Sequence, residues 1–314
     1  MIASDSTIVT SPSRMAGMNP AGLMARNSAA SSTPASRSTD LSCDASLVSY
    51  HGSSGTALVV GRAGPYHRAA LAIKRTAIVL GGSGSVGTAL LRELFHDADF
   101  EAVVTLSRRS IPEAVAMARA AGRTLVEKLV PEMKPEPLAA ATIEACRELD
   151  GDLEGFSVLG VGAGTAKLTL EEHRAVDVAL NEAFARALRD SGKVRHLAFM
   201  SAVGADPTAK ATGSGAAGMS RYNRVKGESE AAVRASGPAT VSVFRPAMII
   251  GSQHTPWLLE KTLPLFSFIT PANLKSITVE QIAKAMIARA KNTPTTSATY
   301  HYPEMMALIA GARR

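Results

Sequence analysis

The stretch Arg75–Leu94, RTAIVLGGSGSVGTALLREL, constrains the fold more than any other part of the chain. Thr76–Leu80 is a short apolar run rich in β-formers. Glycines follow at once, and then Val86, Leu90 and Leu94 recur every four residues, with Arg92 and Glu93 on the opposite side. That order predicts a strand, a tight turn and an amphipathic helix. Gly81, Gly84 and Gly87 form G-x-x-G-x-x-G, and Gly82 adds an overlapping G-x-G-x-x-G. Such a turn lets the backbone leave a strand sharply, approach a pyrophosphate without a Cβ in the way, and pack a helix close to the strand. The first amides of the helix then face the phosphates. Gly81, Gly84, Ser85, Val86 and Gly87 are the candidate phosphate-binding residues.

Further strands are predicted at Ala102–Ser107, Thr124–Val130, Phe156–Gly162, His196–Ser201 and Thr240–Gly251, the last leaving the sheet at Pro246. Helices are predicted where Val176, Leu180, Ala183, Phe184, Ala187 and Leu188 form one stripe, and over Tyr222–Ser236. This alternation predicts an α/β fold, a Rossmann-like doubly wound parallel sheet with helices on both faces. Near-continuous apolar strands suit a sheet buried on both sides. Residues 73–314 are read as this domain, ending in a small C-terminal substrate lid. The apolar stretch Trp257–Ile269 falls in that lid; a core role and a homo-oligomer contact are equally open for it.

Residues 1–72 are read as an N-terminal extension. The first 60 hold fourteen Ser but no Lys, Glu, Phe or Trp, so they are expected to be disordered. These residues are read first as an inert tail or a misplaced start; their Ser, Ala and Arg richness with few acids also resembles an organellar transit peptide, which is the alternative. The expected compartment is the cytoplasm, with a mitochondrion or plastid as the alternative if the extension is a transit peptide.

Of the net charge of +7, the first 75 residues supply +4, from seven basic and three acidic side chains. The mildly basic remainder gives no reason to expect nucleic acid as a partner. No apolar run approaches the ~20 residues of a membrane span. Cys43 and Cys146 lie far apart, which argues against a disulfide framework and fits a reducing compartment. The seven histidines show no metal-ligand spacing, and no metal is expected. There is no G-x-S-x-G elbow for a hydrolase.

The second strand ends Ser107-Arg108-Arg109, with no acid to take a ribose 2′-hydroxyl. Two guanidinium groups suit a 2′-phosphate through charge-assisted bonds. NADP(H) is therefore expected over NAD(H). Tyr222 and Lys226 stand at i and i+4, on one face of a helix. A free phenol has a pKa of about 10, and a neighbouring ammonium lowers it toward useful acid–base chemistry. Tyr222 can then give a proton to a carbonyl oxygen as hydride arrives, or remove one in reverse. Lys226 is also placed to hold the nicotinamide ribose. Ser201 ends the fifth strand, where ligands of open sheets bind, and its hydroxyl is expected on the reacting oxygen. The glycine-rich ATGSGAAGMS, Ala211–Ser220, is read as a mobile flap.

From Arg75 to about Leu308 the chain resembles the short-chain dehydrogenase/reductase superfamily in its atypical, extended branch. Within that branch it resembles the Tat-interacting-protein-30-like (HTATIP-type) oxidoreductases. VLGGSGSVG, SRRS, LAFMSAVGAD, YNRVKGESE and VFRPAMIIG carry the resemblance. It implies a Rossmann fold, NADPH binding and a Ser201–Tyr222–Lys226 triad. It also implies a site-bordering helix with Val176, Asp177 and Asn181, where Asn181 holds a water in a proton relay. Two departures stand out. LVEKLVPEM lacks the Asp that such proteins often keep near the adenine, and GVGAGTAK (Gly160–Lys167) differs from relatives, with Gly162 and Gly164 as candidates to pass under the cofactor. The expected function is an NADPH-dependent oxidoreductase acting on a small carbonyl or alcohol. An NADPH-binding sensor acting through protein partners is the alternative. Epimerase or dehydratase chemistry is less favoured, because only 63 residues follow Gly251.

Overall fold

The computed structural model describes residues 47–52, 55–60, 74–210, 216–251, 271–292 and 294–312. The glycine turn lies where the sequence predicts, between strand β3 (Arg75–Leu80) and helix α1 (Ser85–His96). The chain then runs β4 (Phe100–Ser107), α2 (Pro112–Ala121), β5 (Thr124–Leu129), α3 (Pro135–Arg147) and β6 (Asp152–Ser157). A 3-10 turn at Gly162–Lys167 leads into α4 (Leu170–Arg174), a π-helical segment (Ala175–Leu180) and α5 (Asn181–Asp190). Next come β7 (Val194–Met200), α6 (Ala216–Ser236) and β8 (Thr240–Phe244). The C-terminal part adds β9 (Ile249–Ile250), β10 (Ile277–Thr278), α7 (Val279–Lys291), β11 (Ala298–Tyr300) and α8 (Tyr302–Gly311).

Seven strands are parallel, in the order β5-β4-β3-β6-β7-β8-β11. The order reverses between β3 and β6, so the loops leaving their carboxyl ends diverge and open a crevice there. Alternating residues of β3 separate two cores. Ala77 and Val79 join α1, α2, α7 and α8 on one face. Ile78 and Leu80 join α3, α5 and α6 on the other. That is the doubly wound arrangement predicted from the alternation of elements.

Three departures have physical reasons. The fourth predicted strand, Phe156–Gly162, is displaced: β6 ends at Ser157 and the glycine-rich remainder leaves the sheet. Within the extension expected to be disordered, Leu47–Gly52 (β1) and Gly55–Val60 (β2) form strands. These two pair antiparallel with each other, and β2 pairs antiparallel with β5, Leu58 opposite Glu127. LVSYHG and GTALVV are rich in β-formers, and only two residues separate them, which suits a hairpin. Averaging over a Ser-rich tail hides such a pair. The C-terminal part, expected as a lid, contributes to the sheet and a core: β11 extends the sheet beside β8 and α7 covers a core. Residues 252–270, with the apolar stretch read as the lid, lie outside the described residues.

Candidate functional site

The three glycines of the turn serve different ends. Gly81 has φ of +89°, and a Cβ there would meet the Leu159 amide nitrogen at 2.6 Å. A Cβ on Gly87 would come within 2.1 Å of the Gly81 carbonyl oxygen, so it lets α1 close on the turn. Neither position needs a ligand to explain it. A Cβ on Gly84 would meet only the Gly81 carbonyl oxygen, at an ordinary 3.6 Å. Gly84 caps the N-terminus of α1 without a side-chain bond. It borders a cavity of about 640 Å³ at the carboxyl ends of the strands. Gly81, Ser83 and Arg108 line the same cavity, with Val176 and Leu180 on another wall. An α1 N-terminus whose cap residue has no side chain, a position clear of Cβ and a basic side chain at the cavity wall fit the phosphates of a dinucleotide. Among the described residues, neither the Arg108 nor the Arg109 guanidinium has an ion-pair or hydrogen-bond partner. Ser107 is buried, and its hydroxyl donates to the Arg109 carbonyl at 2.7 Å. Ser85 and Val86 open α1, with the Val86 side chain in the core. After β6, Gly160 and Val161 rather than Gly162 line the cavity. Gly162 has φ of +60° and starts the 3-10 turn facing outward.

The predicted helical pair forms as expected. Tyr222 and Lys226 lie on α6, with Lys226 Nζ 5.9 Å from the centre of the Tyr222 ring. Lys226 is buried, and its ammonium lies 2.7 Å from Oδ1 of fully buried Asp177. Asp177 Oδ2 accepts from the Val161 amide at 2.9 Å. Burial alone pulls the Lys226 pKa down, but the Asp177 carboxylate, with Tyr222 and Glu230, outweighs it, and the net shift is upward. The ammonium is thus held charged beneath Tyr222. Gly160 makes room for this pair, since a Cβ there would lie 2.9 Å from Lys226 Nζ and 3.1 Å from Asp177 Oδ1.

His173, one of the seven histidines without metal-ligand spacing, stacks on the Tyr222 ring, centroids 6.1 Å apart at 22°. It is fully buried, and neither ring nitrogen has a hydrogen-bond partner. Burial lowers its pKa, Asp177 opposes this, and Lys226 and Arg221 add to the lowering. Arg174, next in α4, is bonded through two nitrogens to Glu228 of α6, which fixes α4 against the helix bearing Tyr222.

Two predicted residues are engaged differently from expectation. Asn181 was expected to hold a water. It is buried, its Oδ1 accepts from Ser157 at 2.5 Å, and its Nδ2 donates to the Asp177 and Leu159 carbonyls. With donor and acceptor both taken by protein groups, Asn181 fixes the π segment that presents Asp177. Such segments recur at functional sites, because one extra residue per turn re-aims side chains. Ser201 was expected on the reacting oxygen. Its hydroxyl instead donates to Glu230 at 2.5 Å, and Arg245 grips both oxygens of that carboxylate. Of the expected flap, residues 211–215 lie outside the described residues, and Ala216–Ser220 opens α6.

Among the described residues no cluster of His, Cys, Asp or Glu suits a metal ion, and no helix is long and apolar enough to cross a membrane.

No family model matches the chain. Protein FMP52, mitochondrial, of Eremothecium gossypii is 29% identical over 185 residues, covering 57% of this chain and 68% of FMP52. Among solved structures, a short-chain dehydrogenase/reductase from Serratia marcescens superposes with a TM-score of 0.52 at 19% identity, over 74% of this chain and 99% of that one. A variant of actinorhodin polyketide ketoreductase with NADPH gives a TM-score of 0.52 at 14% identity, over 74% and 97%. At such identities the likeness is one of architecture: the chain has the Rossmann-like fold seen in short-chain dehydrogenases/reductases.

Proposed function

We propose that the chain is an NADPH-dependent oxidoreductase of the short-chain dehydrogenase/reductase superfamily. It moves hydride to or from a small carbonyl or alcohol, with Tyr222 as the acid/base. The observation that carries this is the charged Lys226, buried under Tyr222 by Asp177 at one end of a site whose other end carries a ligand-ready glycine turn. When bound, NADPH supplies the hydride. The chain's own residues do the rest. Gly84 and the first amides of α1 receive the pyrophosphate, and Arg108 with Arg109 receives the 2′-phosphate. The Lys226 charge favours the phenolate and so eases proton movement at the Tyr222 oxygen. Ser201 acts through Glu230 and Arg245, and Asn181 through Asp177, as positioning residues. The branch resemblance to HTATIP-type oxidoreductases rests on the quoted motifs. A mitochondrial location is favoured over the cytoplasm, since the Ser/Ala/Arg-rich extension has the composition of a transit peptide and the related FMP52 is named mitochondrial.

The test is depletion of NADPH fluorescence by purified protein across a broad carbonyl panel, with Tyr222→Phe expected to abolish turnover. Tight NADPH binding without turnover on every carbonyl sinks the enzyme reading and leaves a cofactor-sensing protein. Imaging of the tagged full chain, compared with one lacking residues 1–46, tests the location.

A further inference from the structure

The loop that carries the two unpartnered arginines is itself held firmly. At its start, the Val130 amide donates to the Ser107 carbonyl at 2.8 Å, and the Ser107 hydroxyl donates to the Arg109 carbonyl at 2.7 Å. At its end, the hold comes from Glu127 on the neighbouring strand β5. Glu127 is 0% exposed. Its Oε1 accepts from the Ile111 amide at 2.6 Å, and its Oε2 from the Ser110 hydroxyl at 2.8 Å. One carboxylate thus grips both residues that follow Arg109.

An apolar residue would otherwise be expected there. Glu127 lies two residues from Leu125, on the same face of β5, and Leu125 packs in the core with Ala114 and Ala118 of α2. Among the described residues no Lys, Arg or His forms an ion pair with Glu127. A buried carboxylate without a cation is costly, and it is tolerated where its hydrogen bonds are needed. These bonds fix the backbone at the N-terminus of α2, since Ile111 is its cap residue. They leave Arg108 and Arg109 as the part of the loop free to meet a ligand.

We propose that Glu127 is the positioning residue for cofactor selection: it holds the Arg108–Arg109 loop in the shape that receives the 2′-phosphate. The proposal rests on the NADPH reading above. It assigns the preference for NADPH to a buried strand residue as well as to the arginines themselves.

The experiment is fluorescence titration of NADPH and NADH against the wild type, Glu127→Gln, Glu127→Ala, Ser110→Ala and Arg108→Ala. Glu127→Gln retains an acceptor for Ile111 and a partner for Ser110, and is expected to keep the wild-type preference within about 2-fold. Glu127→Ala frees the loop and is expected to weaken NADPH by about 10-fold or more, with NADH affinity unchanged. Ser110→Ala, at an exposed position, is expected to shift the preference the same way by less. It carries the test alone if Glu127→Ala does not fold. An NADPH preference unchanged in Ser110→Ala and Glu127→Ala, or parallel loss of both nucleotides, overturns the role of Glu127. A wild type that binds both nucleotides equally, unaffected by Arg108→Ala, overturns the 2′-phosphate reading and this proposal with it.

Discussion

Substituting Asp177 by Asn tests the electrostatics of the site directly. The carboxylate is fully buried, its Oδ1 is 2.7 Å from Lys226 Nζ, and Lys226 is 2% exposed. Asn keeps the shape and an acceptor for the Val161 amide but removes the charge. Deleting one partner of a buried pair costs about 3–5 kcal/mol, because the other charge stays buried and uncompensated. For a domain of this size, each kcal/mol moves Tm by about 2–4 °C, so a fall of about 6–20 °C is expected at neutral pH. The pH dependence gives the sign. In the wild type the folded pKa of Lys226 lies above its ordinary value. Its contribution is therefore complete below the unfolded pKa of about 10.4 and is lost only as pH rises through the folded value. In Asp177→Asn, burial dominates and the folded pKa drops below the unfolded one. The penalty is then full at neutral pH and fades as pH climbs toward about 10.4. Calorimetry at pH 7 and at about pH 9.5 should show the gap in Tm narrowing. Adding Lys226→Met to Asp177→Asn should recover about 2 kcal/mol or more, since no charge is left stranded. A Tm within about 2 °C of wild type, or a double variant no more stable than the single one, refutes the buried pair as the source of that charge.

The glycines separate folding from binding. Gly84→Ala should unfold like the wild type yet bind NADPH at least about 10-fold more weakly, whereas Gly87→Ala should lose stability outright by calorimetry. Gly160→Ala presses on Lys226 and Asp177 and should cost about 1–3 kcal/mol of stability together with turnover, read by melting and by NADPH depletion. Arg108→Ala should weaken NADPH by about 10- to 100-fold and leave NADH alone, read by titration. The folded pKa of His173 lies below its unfolded value, so wild-type stability falls as pH drops below about 6.5 toward the folded value. His173→Phe keeps the ring stack on Tyr222 and should flatten that acid limb in a melting series.

What the sequence made legible follows from the range over which each signal acts. The β3–turn–α1 unit was readable because apolar period, glycines and helix lie within twenty residues. Tyr222 and Lys226 were readable because helical spacing alone puts them together. Asp177 stood out only as a member of a bordering helix. Its partnership with Lys226 spans 49 positions and depends on a π segment that no 3.6-residue period announces. Ser201 was read from its place at a strand end, but Glu230, 29 residues on, decides where its hydroxyl points. Glu127 was hidden for the same reason, since an acid within the third strand looks like an exposed residue until Ser110 and Ile111 arrive beside it. The hairpin at 47–60 needs β5 as a third strand, and that partner lies over sixty residues away.

The two ends of the site handle positive charge in opposite ways, and solvent explains why. Arg108 and Arg109 are exposed, so water stabilises each guanidinium and no protein carboxylate is needed. Lys226 is buried, where an unpaired ammonium is not sustainable, so Asp177 has to be built in. On the function proposed above, the arginines therefore keep their binding capacity for an incoming phosphate, whereas the charge of Lys226 is already balanced and acts mainly on the Tyr222 proton. On the proposed reading, substitutions at the arginine end act chiefly on KM for NADPH, and those at the lysine end on kcat and its pH profile. Such a split separates an arginine end built for affinity from a lysine end built for proton transfer. Equal losses of kcat at both ends contradict this division.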